Sequence, residues 1–212
     1  MEFDLSQTPA STVNKLLLGT VIPRPIAWVS SVDPDGRPNL APFSFFNAVC
    51  SRPPTLLFCP GIRGTDAGVK DTLNNVRATG QFVVNVVTEE LLKAMNVTAT
   101  ELPSQVNEFE LAGVTPVPSK TVRPPRVAES PIHFECEVTQ IVDIGDGGKG
   151  SGSVVIGRVL HLHVSDEILL PDDKIDFRAL RPVGRLSGPN YSTLGKILEI
   201  SRLPSQVGPR QQ

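Results

Sequence analysis

A chain of 212 residues with 40% apolar side chains can fill one sizeable core, so a single domain over residues 1–212 is expected. Twenty Lys and Arg stand against 22 Asp and Glu, a net charge of −2, which argues against nucleic acid or anionic lipid as the main partner. Apolar runs such as 16–18 and 154–156 fall far short of the ~18–20 residues that span a bilayer, and Met1-Glu2-Phe3-Asp4 is acidic where a secretory leader is basic; a cytoplasmic protein is expected.

Twenty prolines and 17 glycines cut the chain into short pieces, and the runs between them favour Val, Ile and Phe with a period of two. This predicts a mainly β fold with a few helices. Residues 25–33 read as a strand closed by Asp33-Pro34-Asp35-Gly36, where proline presets φ and glycine tolerates the left-handed region. Residues 39–46 would return alongside it. A third strand is predicted over 55–59 and a fourth over 82–87. Between them 71–78 lacks Gly and Pro and spaces Leu73, Val76 and Arg77 as a helix does, which predicts a crossover helix. A second short helix is predicted over 89–95. Six prolines in 102–131 predict a long irregular excursion over the surface. Residues 133–144 and 153–164 both alternate and are joined by a glycine-rich stretch, the mark of a long hairpin. The tail from 172 mixes polar turns with Tyr191 and a short apolar segment at 197–200.

Gly145, Gly147 and Gly150 satisfy the letter of G-x-G-x-x-G, but a phosphate-binding turn must open a helix, and a strand follows here. His161 and His163 share a strand face, with His133 the only other histidine. A catalytic zinc needs about three protein ligands, so these read as surface or interface histidines. Asp172, Asp173 and Asp176 read as a solvated turn. Cys50, Cys59 and Cys136 are too few and too scattered for a disulfide framework and are read as reduced core thiols. Neither a G-x-S-x-G elbow nor a P-loop occurs, so hydrolase and NTPase readings lack a nucleus.

Lys70-Asp71-Thr72 opens the predicted crossover helix, whose free amides and partial positive charge favour an anion. Gly61, Gly64 and Gly68 just before it would let backbone approach a phosphate. Ordinary capping by Asp71 or Thr72 is the competing reading. Polar Ser30, Ser44 and Asn47 interrupt apolar runs, and burying such groups without partners costs ~1–3 kcal/mol each. They therefore cap strand ends or meet a ligand, and a planar apolar ring with polar edges would suit this surface.

The segments Arg24-Pro25-Ile26-Ala27-Trp28-Val29-Ser30, 39–47, Ser51-Arg52-Pro53-Pro54, Lys70-Asp71-Thr72, 80–85, 134–138 and Gly157-Arg158-Val159 together resemble the flavin-reductase-like FMN-binding split-barrel family, of flavoredoxin type. The resemblance implies a six-stranded split β-barrel with Greek-key topology, a homodimer, and one FMN per subunit near the dimer interface. It implies contact with the isoalloxazine edge by the strand from Asn39 to Asn47, mainly through Ala41, Pro42 and Ser44. Ser30 and Ser31 would lie beside the ring or ribityl chain. Lys70, Asp71 and Thr72 would hold the ribityl chain and phosphate, with Asn47 as helper. Arg24 belongs to the first matching segment, and Arg185 and Tyr191 match a tail motif found in part of the family. The activity implied is NAD(P)H-dependent flavin reduction, with NADH or NADPH giving hydride to flavin N5 and a small molecule or protein as acceptor. A flavin-binding electron carrier or sensor without turnover is the alternative. No catalytic residue is expected, because the flavin carries the redox chemistry.

Overall fold

The computed structural model describes residues 1–204. In chain order it contains α1 (Ala10–Thr20), β1 (Ala27–Val32), β2 (Pro38–Phe43), β3 (Phe46–Ser51), β4 (Pro54–Phe58), α2 (Asp71–Thr79), β5 (Gln81–Val86), α3 (Leu92–Val97), α4 (Glu108–Ala112), β6 (Pro116–Val117), β7 (Arg126–Val127), β8 (Ile132–Ile144) and β9 (Gly152–Val164). Seven strands form one antiparallel sheet in the order β2-β1-β5-β8-β9-β4-β3. The β2–β3 connection runs from one edge to the other, and α2 carries the chain back from β4 to β5, which gives the split barrel its Greek-key crossovers. The sheet has seven strands rather than six. The expected strand 39–46 breaks at Ser44-Phe45, and Phe46 starts a new strand at the far edge.

Alternation gives the sheet two different faces. On one, Ala27, Val29, Phe43, Phe82, Val84 and Cys136 join Phe58 of β4 and Leu73 and Val76 of α2 in a first core. Phe58 bridges Phe43 and Phe82, with ring centroids 5.1 and 5.0 Å apart. Gly157 of β9 lies against the Phe82 ring so closely that a β-carbon would overlap it. On the other face Trp28 and Leu40 meet Leu91, Met95, Phe109, Val114 and Val127 in a second core.

That second core corrects the reading of 102–131 as an irregular surface run. The segment folds into α4 and the β6–β7 pair and buries Phe109, Val114, Val122 and Val127. Burying a side chain of this size contributes about 1.5–3 kcal/mol. Prolines keep the segment out of the main ladder, so its backbone groups need other partners. Strand side chains supply them. Asn85 Oδ1 accepts from Val127 N–H (2.8 Å), and Ser30 Oγ donates to Pro125 O. His133 Nε2 donates to Val127 O (2.7 Å), and Gln81 Oε1 accepts from Arg123 N–H (2.9 Å). Glu135, fully buried, accepts from Lys120 N–H (2.8 Å), Thr121 N–H (2.6 Å), Thr121 Oγ1 (2.6 Å) and His163 Nε2 (2.6 Å). Ser30, Asn85, His133, Glu135 and His163 all lie on one face by register, forming a polar clasp over the four adjacent strands β1, β5, β8 and β9.

The clasp also corrects the histidines: His133 is buried and His163 half-buried, because they serve this segment and not solvent. Cys136 is buried and Cys59 half-buried, and burial pushes both thiols up, but Cys50 is exposed on β3 and is not a core thiol. The second helix lies over Leu92–Val97, later than 89–95, because Glu89 is held in a turn by Arg181, whose Nη2 lies 2.6 Å from Glu89 Oε2. The glycine-rich tip joins β8 to β9 as expected, with Gly145, Gly147 and Gly150 all at positive φ. Among the described residues no helix is long and apolar enough to cross a membrane.

Candidate functional site

The free edge of β2 is built without exposed donors. Leu40 N–H points away from β1, because it donates to Glu108 Oε2 (3.2 Å). Pleating sends the equivalent positions two residues either way in the same direction, and these are Pro38 and Pro42, which have no N–H. Only carbonyls remain on this edge.

Two polar pairs bring the start of α2 beside it. Asn39 Nδ2 donates to Thr72 Oγ1 (2.9 Å), and Asn75 Nδ2 donates to Ser31 Oγ (3.1 Å); Ser31 and Asn39 are themselves cross-strand partners. Lys70 is the N-cap residue, and no side chain caps the helix, so neither Asp71 nor Thr72 plays the ordinary capping role. Gly80 closes the helix in the left-handed conformation.

Along this edge runs a shallow cleft lined by Asn39, Ala41, Pro42, Lys70, Asp71 and Thr72, with Arg63, residues 98–102 and Glu108 also bordering it. Pro42 and Ala99 also line a second cleft, with Ile26, Ser44, Met95, Asn96, Arg185 and Tyr191. The shared walls make one groove. At its second end the Arg185 guanidinium lies 4.5 Å from the Tyr191 ring centroid, and Tyr191 OH donates to Asn96 Oδ1 (3.0 Å).

The structure therefore brings together Asn39, Ala41, Pro42, Ser44, Lys70, Asp71, Thr72, Arg185 and Tyr191. It places the other candidates elsewhere. Ser30 and Ser31 are fully buried, Ser30 in the clasp and Ser31 against α2. Asn47 is exposed on β3 at the opposite sheet edge, its Oδ1 accepting from Ala48 N–H (2.9 Å). Arg24 is 4% exposed, and its guanidinium donates to Leu18 O (2.8 Å), Val21 O (2.7 Å), Leu186 O (2.8 Å) and Ser44 Oγ (3.3 Å). It ties the end of α1 and the tail to the groove, with a backbone bridge to Arg185 alongside.

Sequence reasoning missed the opposite wall. Glu101 accepts from Gly64 N–H (2.9 Å), Thr65 N–H (3.3 Å) and Thr65 Oγ1 (2.5 Å). The Thr65 hydroxyl and the Gly64 amide hold its carboxyl at about 2. Burial pushes the Glu108 carboxyl up, against the pull of Leu40 N–H. Both acids lie in or beside the proline-rich excursion, where no periodic pattern marked them. The groove as a whole offers an apolar, carbonyl-edged middle, an uncapped helix start with a lysine at one end and an arginine at the other. That donor set fits a flat ring with polar edges carrying an anionic tail.

Residues 18–180 match the family model described as the flavin reductase like domain. An uncharacterized protein of Aquifex aeolicus (strain VF5) is 44% identical over 191 residues, 90% of this chain and 94% of that protein. The crystal structure of nitrilotriacetate monooxygenase component B from Bacillus cereus superposes with a TM-score of 0.89 at 34% identity, covering 94% of this chain and 98% of that one. Pseudomonas fluorescens 2-nitrobenzoate 2-nitroreductase superposes with a TM-score of 0.85 at 30% identity, covering 97% and 100%.

Proposed function

We propose that this chain, which belongs to the flavin reductase-like family, is a single-domain, FMN-dependent oxidoreductase working as a cytoplasmic homodimer. It takes hydride from NADH or NADPH and passes electrons to free flavin, a metal complex or a partner protein. The observation that supports this most is the groove along the donor-free edge of β2, with Lys70 and the uncapped start of α2 at one end. The names of two similar structures, a monooxygenase component and a nitroreductase, agree with an oxidoreductase.

In this reading Lys70 and Thr72 hold the phosphate, and Asp71 accepts from ribityl hydroxyls. Asn39 keeps Thr72 in place. Ala41, Pro42 and Ser44 border the ring, and Arg185 with Tyr191 closes the far end. Bound flavin supplies the hydride-accepting N5 and carries the redox chemistry. The protein binds, orients and shields it, and no cysteine lines either cleft.

The test is spectroscopic. Purified, dialysed protein reconstituted with FMN should show oxidised-flavin absorbance that bleaches rapidly on anaerobic addition of NADH or NADPH. Reduction by a protein donor alone would favour an electron carrier, and a protein that takes up no FMN would end the flavin reading. The dimer rests on exposed apolar side chains at the β3 edge and on β9, Phe45, Val49, Leu160 and Leu162. Sedimentation should give about twice the 22.8 kDa chain mass. A monomer that keeps FMN at low concentration would refute it.

A further inference from the structure

The end of the groove assigned to phosphate already holds an anion, and it is the protein's own. Two successive backbone amides, Gly64 and Thr65, converge with the Thr65 hydroxyl on the Glu101 carboxylate, and Lys70 Nζ stands 3.9 Å from its Oε1. Consecutive amides turned toward one point, with a hydroxyl and an ammonium beside them, form the kind of concavity that binds phosphate oxygens. The other cation here, Arg63, is held by Asp66 at 3.0 Å. Both positive charges at this end are thus matched before any ligand arrives, and Asp71 adds a further acid.

We propose that Glu101 is a displaceable internal anion: its carboxylate fills the Gly64–Thr65 amide nest when phosphate is absent and swings out when a phosphate-bearing ligand enters. Three features of the structure support displacement. The Glu101 side chain is 25% exposed, on the surface of the cleft, so its departure crosses no core. It also borders a third cleft, lined by Thr65, Asp66, Pro103, Ser104 and Gln105, which has room to receive the side chain. Its carboxyl is held near 2, so at neutral pH the charge leaves by movement and not by protonation. The consequence is a built-in tax on phosphate binding, which would make a phosphate-bearing flavin exchangeable.

The identity of the ligand as FMN rests on the preceding reading; the nest does not. The experiment compares Glu101→Gln with the parent, using FMN, riboflavin and inorganic phosphate as separate titrants. Gln keeps the size and an accepting oxygen for the nest but not the charge. The expected result is FMN affinity about tenfold higher in Glu101→Gln, riboflavin affinity within twofold of the parent, and tighter binding of inorganic phosphate. A carboxylate that merely staples the loop gives the opposite sign, with FMN binding weaker in both Glu101→Gln and Glu101→Ala, and that result or no change overturns the proposal. If neither flavin binds either protein, the FMN reading fails and the phosphate titration decides: tighter phosphate binding by Glu101→Gln upholds the nest, equal or weaker binding overturns it.

Discussion

Replacing Lys70 and Thr72 together with alanine should weaken FMN binding about a hundredfold while weakening riboflavin binding only a few-fold. A charge-assisted hydrogen bond contributes about 1.5–3 kcal/mol and a neutral one about 0.5–1.5 kcal/mol, so their joint loss falls near two decades. Riboflavin lacks the phosphate and therefore reports everything else the double variant disturbs. Something else is disturbed, because Thr72 is 1% exposed and its Oγ1 accepts from Asn39 Nδ2, which the alanine leaves unpaired. Thr72→Ser with Lys70 intact separates the two effects: it keeps the hydroxyl, the Asn39 bond and, on this reading, FMN affinity close to the parent. Isothermal titration with both flavins is the measurement. Equal losses for FMN and riboflavin would remove phosphate binding from these residues.

The second large effect is on stability, at the clasp. Glu135→Ala leaves Lys120 N–H, Thr121 N–H, Thr121 Oγ1 and His163 without their acceptor beneath the excursion. At about 1–3 kcal/mol for each donor left dry, and with some regaining water, the cost should be about 3–5 kcal/mol, a large part of a typical ~5–15 kcal/mol. A fall in Tm of about 10 °C is expected for a chain of this length.

The same residue governs the acid side. Burial alone would raise the Glu135 carboxyl, but the Thr121 hydroxyl, the Lys120 amide and His163 outweigh it and hold the carboxyl at about 2, against an ordinary 4.5. Between those values the unfolded chain binds more protons than the folded one. The contribution is therefore complete above pH 4.5 and lost as pH falls toward 2, and it amounts to about 3 kcal/mol. Burial also lowers His133 and His163, and protonating His133 would place a proton on a buried Nδ1 that has no partner. Their share is lost earlier, as pH drops below the ordinary 6.5 of histidine. Urea melts from pH 7 to 3 should show the parent weakening in both ranges, and Glu135→Ala with a flatter profile below 4.5. Parallel profiles for the two proteins would remove Glu135 from this role.

The long hairpin was legible because both strands alternate over their whole length, and α2 because nothing in 71–78 breaks a helix and Leu73 and Val76 fall on one side of it. The phosphate end of the groove was legible in Lys70-Asp71-Thr72 at a helix start, but its middle only through matching segments, since Ala41 and Pro42 line it without any chemical signature. The excursion was opaque for a physical reason. Its bonds come from side chains far along the chain, Asn85 to Val127 and Glu135 to Lys120, and no local pattern displays such a pairing. Ser30 and Ser31 show the same limit. Buried hydroxyls do need partners, but here the partners are Pro125 and Asn75 of the protein itself. Helix α1 went unseen because it has no buried residue, so no apolar stripe turned inward marks it.

A groove along a sheet requires one strand to leave an edge uncovered, and an uncovered edge is a template for strands of other chains. The β2 edge meets that hazard with its own residues. An added strand would look for amide donors at positions 38, 40 and 42, and would find two prolines and one amide already held by Glu108. A small planar molecule needs no such row of alternating bonds and can still lie along the carbonyls. The chemistry that leaves this edge open to a ligand thus closes it to edge-to-edge aggregation.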